Sequence, residues 1–316
     1  MTPLLFEQTY QGEWNELEEM LDRPEGRRAD RLATLYRRAC EHLALARARS
    51  YPAYMIDRLE RATGRAHQLI YHRRQFGIAG LIDLVRVQFP ASVRRHRTYV
   101  ALAAVTFLLP TFVMGVLVYR QPDLILSVVN AETAASFEEM YSPHADSIGR
   151  TRTASTDWMM FGYYIRNNIG IAFQCFASGL FAGLGSLFFL AYNGAFGGAI
   201  AGYLTERGLS PTFYSFVATH SAFELTAIVL AGAAGLRIGH AWLAPARLTR
   251  VQSLVAATRE SVVLLYGITA MLLVAAAVEA FWSSATWVSP AIKYSAAGAC
   301  WTAVLGYLLF QGRRAD

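Results

Sequence analysis

His220 and Glu224 stand four residues apart in the run ATHSAFELTAIVLAGAAGLRIGH, residues 218–240. On a helix that spacing puts an imidazole and a carboxylate on one face. The residues around them are apolar enough to span a membrane, where an ionisable group is costly unless it is paired or faces water. Counted from Thr212 at about 1.5 Å per residue, His220 lies roughly 12 Å and Glu224 roughly 18 Å below the helix end. Three kinds of chemistry fit such a pair. It can tie a hydrogen-bonded knot that fixes helix register, or line a path for a solute, ion or proton. With further ligands it can hold a metal or run acid–base catalysis. Zinc hydrolases built on helices carry HExxH, with two His and a Glu base. HxxxE offers only one His, so His220 and Glu224 are metal candidates with too few ligands between them, and no cofactor is expected. No catalytic residue can be assigned: no G-x-S-x-G, P-loop or strand–helix G-x-G-x-x-G occurs.

The partners available to this pair are few. Asn167 and Asn168 fall inside the start of another apolar stretch, and an antiparallel arrangement of the connecting helices brings all four residues to similar depth, so a buried polar cluster of His220, Glu224, Asn167 and Asn168 is expected. Asn193 is placed with that cluster, Gln174 is a further polar candidate, and Arg166 and Glu206 are read as lining its mouth. Glu279 is another carboxylate near the end of an apolar run, and the plain reading is that it snorkels to the interface.

Composition says what kind of scaffold must hold these residues. Of 316 residues 54% are hydrophobic and only 16% charged, and the mean hydropathy is +0.27. That excludes an ordinary soluble globule and points to an all-α polytopic membrane protein. The net charge of +6 comes almost wholly from Arg, Lys293 being the one lysine. Arg-rich cytoplasmic loops explain it, and no nucleic-acid-binding pattern accompanies it. Cys40, Cys175 and Cys300 are too scattered for a disulfide framework or a zinc site. The polar, acidic opening residues contain no signal-peptide core, so the N-terminus is expected to stay in the cytoplasm.

The chain divides into residues 1–75, a cytoplasmic bundle of amphipathic helices, then 76–97, then a transmembrane domain over 98–316. In the first part Trp14, Leu17, Met20 and Leu21, then Leu32, Leu35, Tyr36, Ala39, Leu43 and Ala46, then Ile56, Leu59, Ala62, Ala66, Leu69 and Ile70 recur at helical spacing. RPEG and SYPAY read as the turns. Over 76–97 an apolar face (Ile78, Leu81, Ile82, Val85, Phe89) ahead of Arg94, Arg95 and Arg97 reads as a helix lying in the headgroup plane. About six spans follow, with a polar loop at about 120–160 on the outer side. Residues 170–205 fit either two spans joined by a tight turn or one span and a re-entrant segment. Arg before the first span, Arg247, Arg250 and Arg259 between the fourth and fifth, and the Arg-containing tail set both termini on the cytoplasmic side. Gly194, Gly198 and Gly202 recur every four residues, and the pairs Gly179 with Gly183 and Gly235 with Gly239 repeat the step. Such faces let helices, or two copies in a homodimer, approach closely in lipid.

These residues together resemble the stage II sporulation protein M family of bacterial integral membrane proteins. The resemblance rests on Asn167–Asn168, the glycines from Gly179 to Gly185, Asn193–Gly194, His220 with Glu224, and Gly232, Gly235 and Gly239. It extends to WNELEEML, LATLYRRACEHLALAR and AHQLIYHRR near the N-terminus, so it covers most of the chain. The family often shows Pro-His-Gly, where this chain has Thr219 and Ser221 around His220. The resemblance implies an inner-membrane scaffold or assembly partner for envelope-remodelling, peptidoglycan-degrading proteins. A transporter or channel for a small solute, ion or lipid is the alternative use of the buried cluster, and a membrane-embedded metal-dependent hydrolase the third. The partners expected are the lipid bilayer, envelope proteins or a cytoplasmic protein docked on the Arg-rich bundle, and a second copy of the chain.

Overall fold

A computed structural model describes residues 1–22, 29–71, 78–144, 148–149 and 157–313. Among them every regular element is helical. The RPEG turn, the 75/76 boundary, the middle of the 120–160 loop and the last three residues lie outside the described residues. The chain forms two compact units, Met1–Ile82 and Asp83–Asp316.

The first unit is built from α1 (Pro3–Asp22), α2 (Ala29–Ala48) and α3 (Ala53–Tyr71). Their facing stripes close a core of Phe6, Trp14, Leu17, Leu35, Met55, Leu59 and Ala66. Within it the Trp14 indole donates to His42 Nδ1 at 3.1 Å, so a polar edge is satisfied where the helix pattern alone shows only a hydrophobic stripe. Some arginines bridge the helices: Arg31 grips Glu16 through two bonds of 2.7 and 2.5 Å, and Arg58 does the same to Glu18 at 2.9 and 2.7 Å. Such pairs contribute little in water, but they make these basic residues part of the bundle's own solvated surface.

The first unit ends in α4 (Ile78–Asp83), and the second begins with a π-turn at Leu84–Gln88 that leads into α5 (Phe89–Arg95). Ile78, Leu81, Ile82 and Val85 are exposed, whereas Phe89 is buried. The long helices are α6 (Arg97–Arg120), then, beyond the short α7 (Ala131–Met140), α8 (Asp157–Ala177), α9 (Leu184–Glu206), α10 (Ser210–Leu243), α11 (Arg250–Val278) and α12 (Pro290–Phe310). Among the described residues four are long and apolar enough to cross a membrane: α6, α9, α10, and α11 with the π-turn Glu279–Ser283 that extends it. The expected count of about six is corrected to four by that measure, because Arg166, Asn167, Asn168 and Gln174 in α8 and Lys293 in α12 lower the apolar character of two helices that still have spanning length. Residues 170–205 resolve as two helices, α8 and α9, joined by a 3-10 turn at Ser178–Leu180 and a left-handed Gly183 with φ 82°.

Helix directions follow from who touches whom. A Cβ added at Gly194, Gly198 or Gly202 would collide with the carbonyl of Phe107, Thr111 or Gly115, respectively. The two four-residue ladders rise together, so α6 and α9 are parallel and in backbone contact. Gly232 meets Leu190, Gly235 meets Ser186 and Gly239 meets Gly183, so α10 runs antiparallel to α9. The glycine faces are therefore filled from within the chain, which leaves them no room for a second copy.

α10 is the central helix, packed by α6, α8, α9, α11 and α12, and most of its second half is buried. At one end of the unit Tyr99 bonds His240, Arg237 meets Glu260 at 3.0 Å and Arg94 donates to the Gln311 carbonyl at 2.6 Å. At the other end the polar segment after α6 is ordered rather than a plain loop. A 3-10 turn at Pro122–Ser127 leads into α7, which is capped by Asn130 accepting from Thr133 N at 2.8 Å. Ile125 and Ala134 pack there with Val118, Tyr203 and Phe213.

Two expectations follow. Gly198→Ala drives a methyl into the Thr111 carbonyl, while Gly197→Ala one residue away meets open space. Thermal unfolding in detergent should show Gly198→Ala destabilised by about 1–3 kcal/mol and Gly197→Ala unchanged or slightly stabilised. In the bundle, burial holds the His42 imidazole below its usual range, so the folded unit favours the neutral ring that accepts from Trp14. The unfolded chain takes up the proton first as pH falls. The contribution is therefore complete above about 6.5 and shrinks as pH drops below it. Hydrogen exchange of residues 1–70 in the full chain should report weaker protection at pH 5.5 than at 7.5, and His42→Phe should flatten that difference.

Candidate polar site in the membrane domain

The buried cluster lies where α8, α10 and the π-turn of α11 meet the first turn of α12. α10 supplies His220 and Glu224 from one face, as the four-residue spacing requires. His220 is 5% exposed. Its Nδ1 pairs with Ser283 Oγ at 3.0 Å, which turns Nε2 toward Glu224 Oε2 at 4.0 Å, too long for a hydrogen bond. α8 supplies Asn168, whose amide reaches Glu279 Oε2 at 3.5 Å and whose own oxygen accepts from Asn167 at 3.0 Å.

Glu279 does not snorkel. It is 9% exposed, because the chain at Glu279–Ser283 winds as a π-turn packed against α8 and α10, and such turns recur at functional sites. One ligand atom from each of His220, Glu224 and Glu279 lies within 4.8 Å of the other two. These three residues could hold a metal ion. Lys293, 1% exposed, donates through Nζ to the Ser283 carbonyl at 2.7 Å, and its own carbonyl accepts from Thr219 at 3.2 Å. Among the described residues no Arg or Lys comes within 4 Å of either glutamate.

A roof closes the cluster from the α7 end. Tyr141 packs edge-on against Phe213 and Phe216 with ring centroids 5.1 and 5.8 Å apart, and Phe216 sits edge-on to the His220 ring at 5.2 Å. Thr212 Oγ1 pins the Tyr141 carbonyl at 2.6 Å. Burial first, then the nearby Glu279 and Glu224 carboxylates, push the Tyr141 phenol up, so it stays protonated beside the acidic pair.

Of the residues singled out from sequence, His220, Glu224 and Asn168 converge, and Asn167 joins through Asn168 alone, its side chain otherwise exposed. Asn193 instead donates to the Phe189 carbonyl of its own helix at 2.8 Å. Glu206 belongs to a separate group in which Arg207 lies 3.8 Å from it and 3.3 Å from Glu138. Arg166 is exposed and touches none of the cluster. The glycines place the site without entering it. Ser283, Lys293 and Tyr141 escaped the sequence reading; the one signal available was that the sole lysine of an Arg-rich chain lies at the head of an apolar run.

Comparison with known proteins separates the two units. Residues 5–72 match a domain of unknown function, DUF8413, a separate family model over the N-terminal helices. No curated protein and no solved structure matches. Residues 103–284, which hold every member of the cluster except Lys293, match the family model of stage II sporulation protein M. The chain is a membrane protein of the stage II sporulation protein M family.

Proposed function

We propose that this protein is an assembly partner in a bacterial cytoplasmic membrane, binding another integral protein of the cell-envelope remodelling machinery through α8. The observation that carries the reading is the outward face of that helix. Gly162, Tyr163, Arg166, Asn167, Phe173 and Gln174 are exposed, and a Cβ at Gly162 or Gly170 would meet nothing. The outward face of α6 is its opposite: Leu102, Val105, Leu109, Phe112 and Val116 are exposed there without a charge, as suits lipid. A guanidinium, two amides and flat glycines on a helix of spanning length suit a protein neighbour, since polar groups in lipid need partners and small residues let helices close in. The occupant that fits is a helix with a carboxylate at the depth of Arg166. The Arg-rich end gathered around Arg94 and Arg237 supports a cytoplasmic placing of both termini.

The test is photocrosslinking in native membranes with probes at Tyr163 and Phe173, and at Leu109 and Phe112 for comparison. The α8 probes should yield a protein adduct that is lost in Arg166→Leu and restored in Arg166→Lys, while the α6 probes yield lipid adducts. Lipid adducts alone from α8, or adducts only to a second copy of this chain, would overturn the reading.

A further inference from the structure

We propose that His220, Glu224 and Glu279 bind one divalent first-row transition-metal ion of the zinc class, held between α10 and the π-turn of α11. The inference is independent of any partner on α8. Three observations carry it. The first is the donor set. One imidazole and two carboxylates supply the three protein ligands of an open zinc-type site, and imidazole selects a transition metal over magnesium or calcium. Tetrahedral ligands about 2 Å from one ion stand about 3.3 Å apart. The 4.0 Å between His220 Nε2 and Glu224 Oε2 and the 4.8 Å limit on the trio are wider than that, so the side chains close in by roughly 1–1.5 Å to share an ion.

The second observation is orientation. A metal-ligating His commonly has its other ring nitrogen fixed by a hydrogen bond. Here Ser283 Oγ fixes Nδ1 at 3.0 Å, and Nε2, on a side chain 5% exposed, makes no hydrogen bond among the described residues and lies 4.0 Å from Glu224 Oε2. The third is charge. Two carboxyl groups share this enclosed pocket, and among the described residues no Arg or Lys lies within 4 Å of either. Lys293 turns its Nζ to the Ser283 carbonyl instead. Asn168 donates only a weak bond, at 3.5 Å, to Glu279. A dication seated among the three ligands answers the charge, the unpartnered nitrogen and the spacing together. Tyr141 and Phe216 roof this pocket and shield it from the polar segment above.

Detergent-purified full chain, stripped with a chelator, is titrated with Co2+ and then Zn2+. The expected result is one ion per chain, a Co2+ visible spectrum of low-coordinate nitrogen and oxygen ligation, and displacement of that spectrum by Zn2+. His220→Ala and the near-isosteric Glu279→Gln should each abolish the spectrum, with Glu279→Gln checked for an unchanged elution profile. Ser283→Ala should weaken binding by about 10- to 100-fold without removing it. Failure of the folded wild-type chain to bind either ion, or binding that survives both His220→Ala and Glu279→Gln, would overturn the site.

Discussion

The contact of glycine against carbonyl is the constraint on which the membrane domain depends. Helices in lipid gain nothing from hiding apolar surface, so close packing must come from backbone approach. Gly194, Gly198 and Gly202 let α9 lie on the carbonyls of α6, and Gly235 and Gly239 let the turn after α8 and the start of α9 lie on α10. Once those approaches are made, α10 is enclosed by its neighbours. Only a helix so enclosed can keep His220 and Glu224 away from lipid. Tight packing at one end of α10 thus makes room for costly chemistry near the other.

That chemistry is held by a short chain of specific bonds. Ser283 serves twice, its hydroxyl orienting His220 and its carbonyl receiving Lys293. Lys293 in turn ties back to α10 through Thr219. The first turn of α12 is therefore fastened to the turn of α10 that carries the imidazole. Asn168 does the equivalent work from α8, reaching Glu279 from a backbone that packs on α10. Each bond crosses between helices, so the cluster fixes their mutual register as well as presenting its ligands.

Sequence made the class of fold and one wall of the site legible, for a physical reason. A twenty-residue apolar run and a four-residue spacing are properties of a single helix, and both survive without knowledge of neighbours. Hence the long helices, the glycine faces and the shared face of His220 and Glu224 could be read directly. What could not be read depends on contacts between helices or on local winding. Glu279 looked like a terminal carboxylate because helical periodicity carries no mark of a π-turn. Lys293 sits where a basic residue usually reaches the headgroups, and only the seating of α12 buries it. Asn193 was grouped with the cluster by residue type, but it answers to its own helix. The segment after α6 was too polar to announce the helix that Asn130 caps.

The parallel ladder between α6 and α9 has a mechanical consequence. Its period is one turn on both helices, and at each rung the nearest group facing the glycine is a backbone carbonyl. Sliding one helix along the other by a fraction of a turn would carry side chains into the carbonyls that the glycines now clear, so the next allowed register lies a full step of about 6 Å away. The pair is therefore locked in register where Phe107, Thr111 and Gly115 meet Gly194, Gly198 and Gly202, and beyond that lock Val118, Tyr203 and Ile125 pack together, so the segment after α6 is seated on a fixed base.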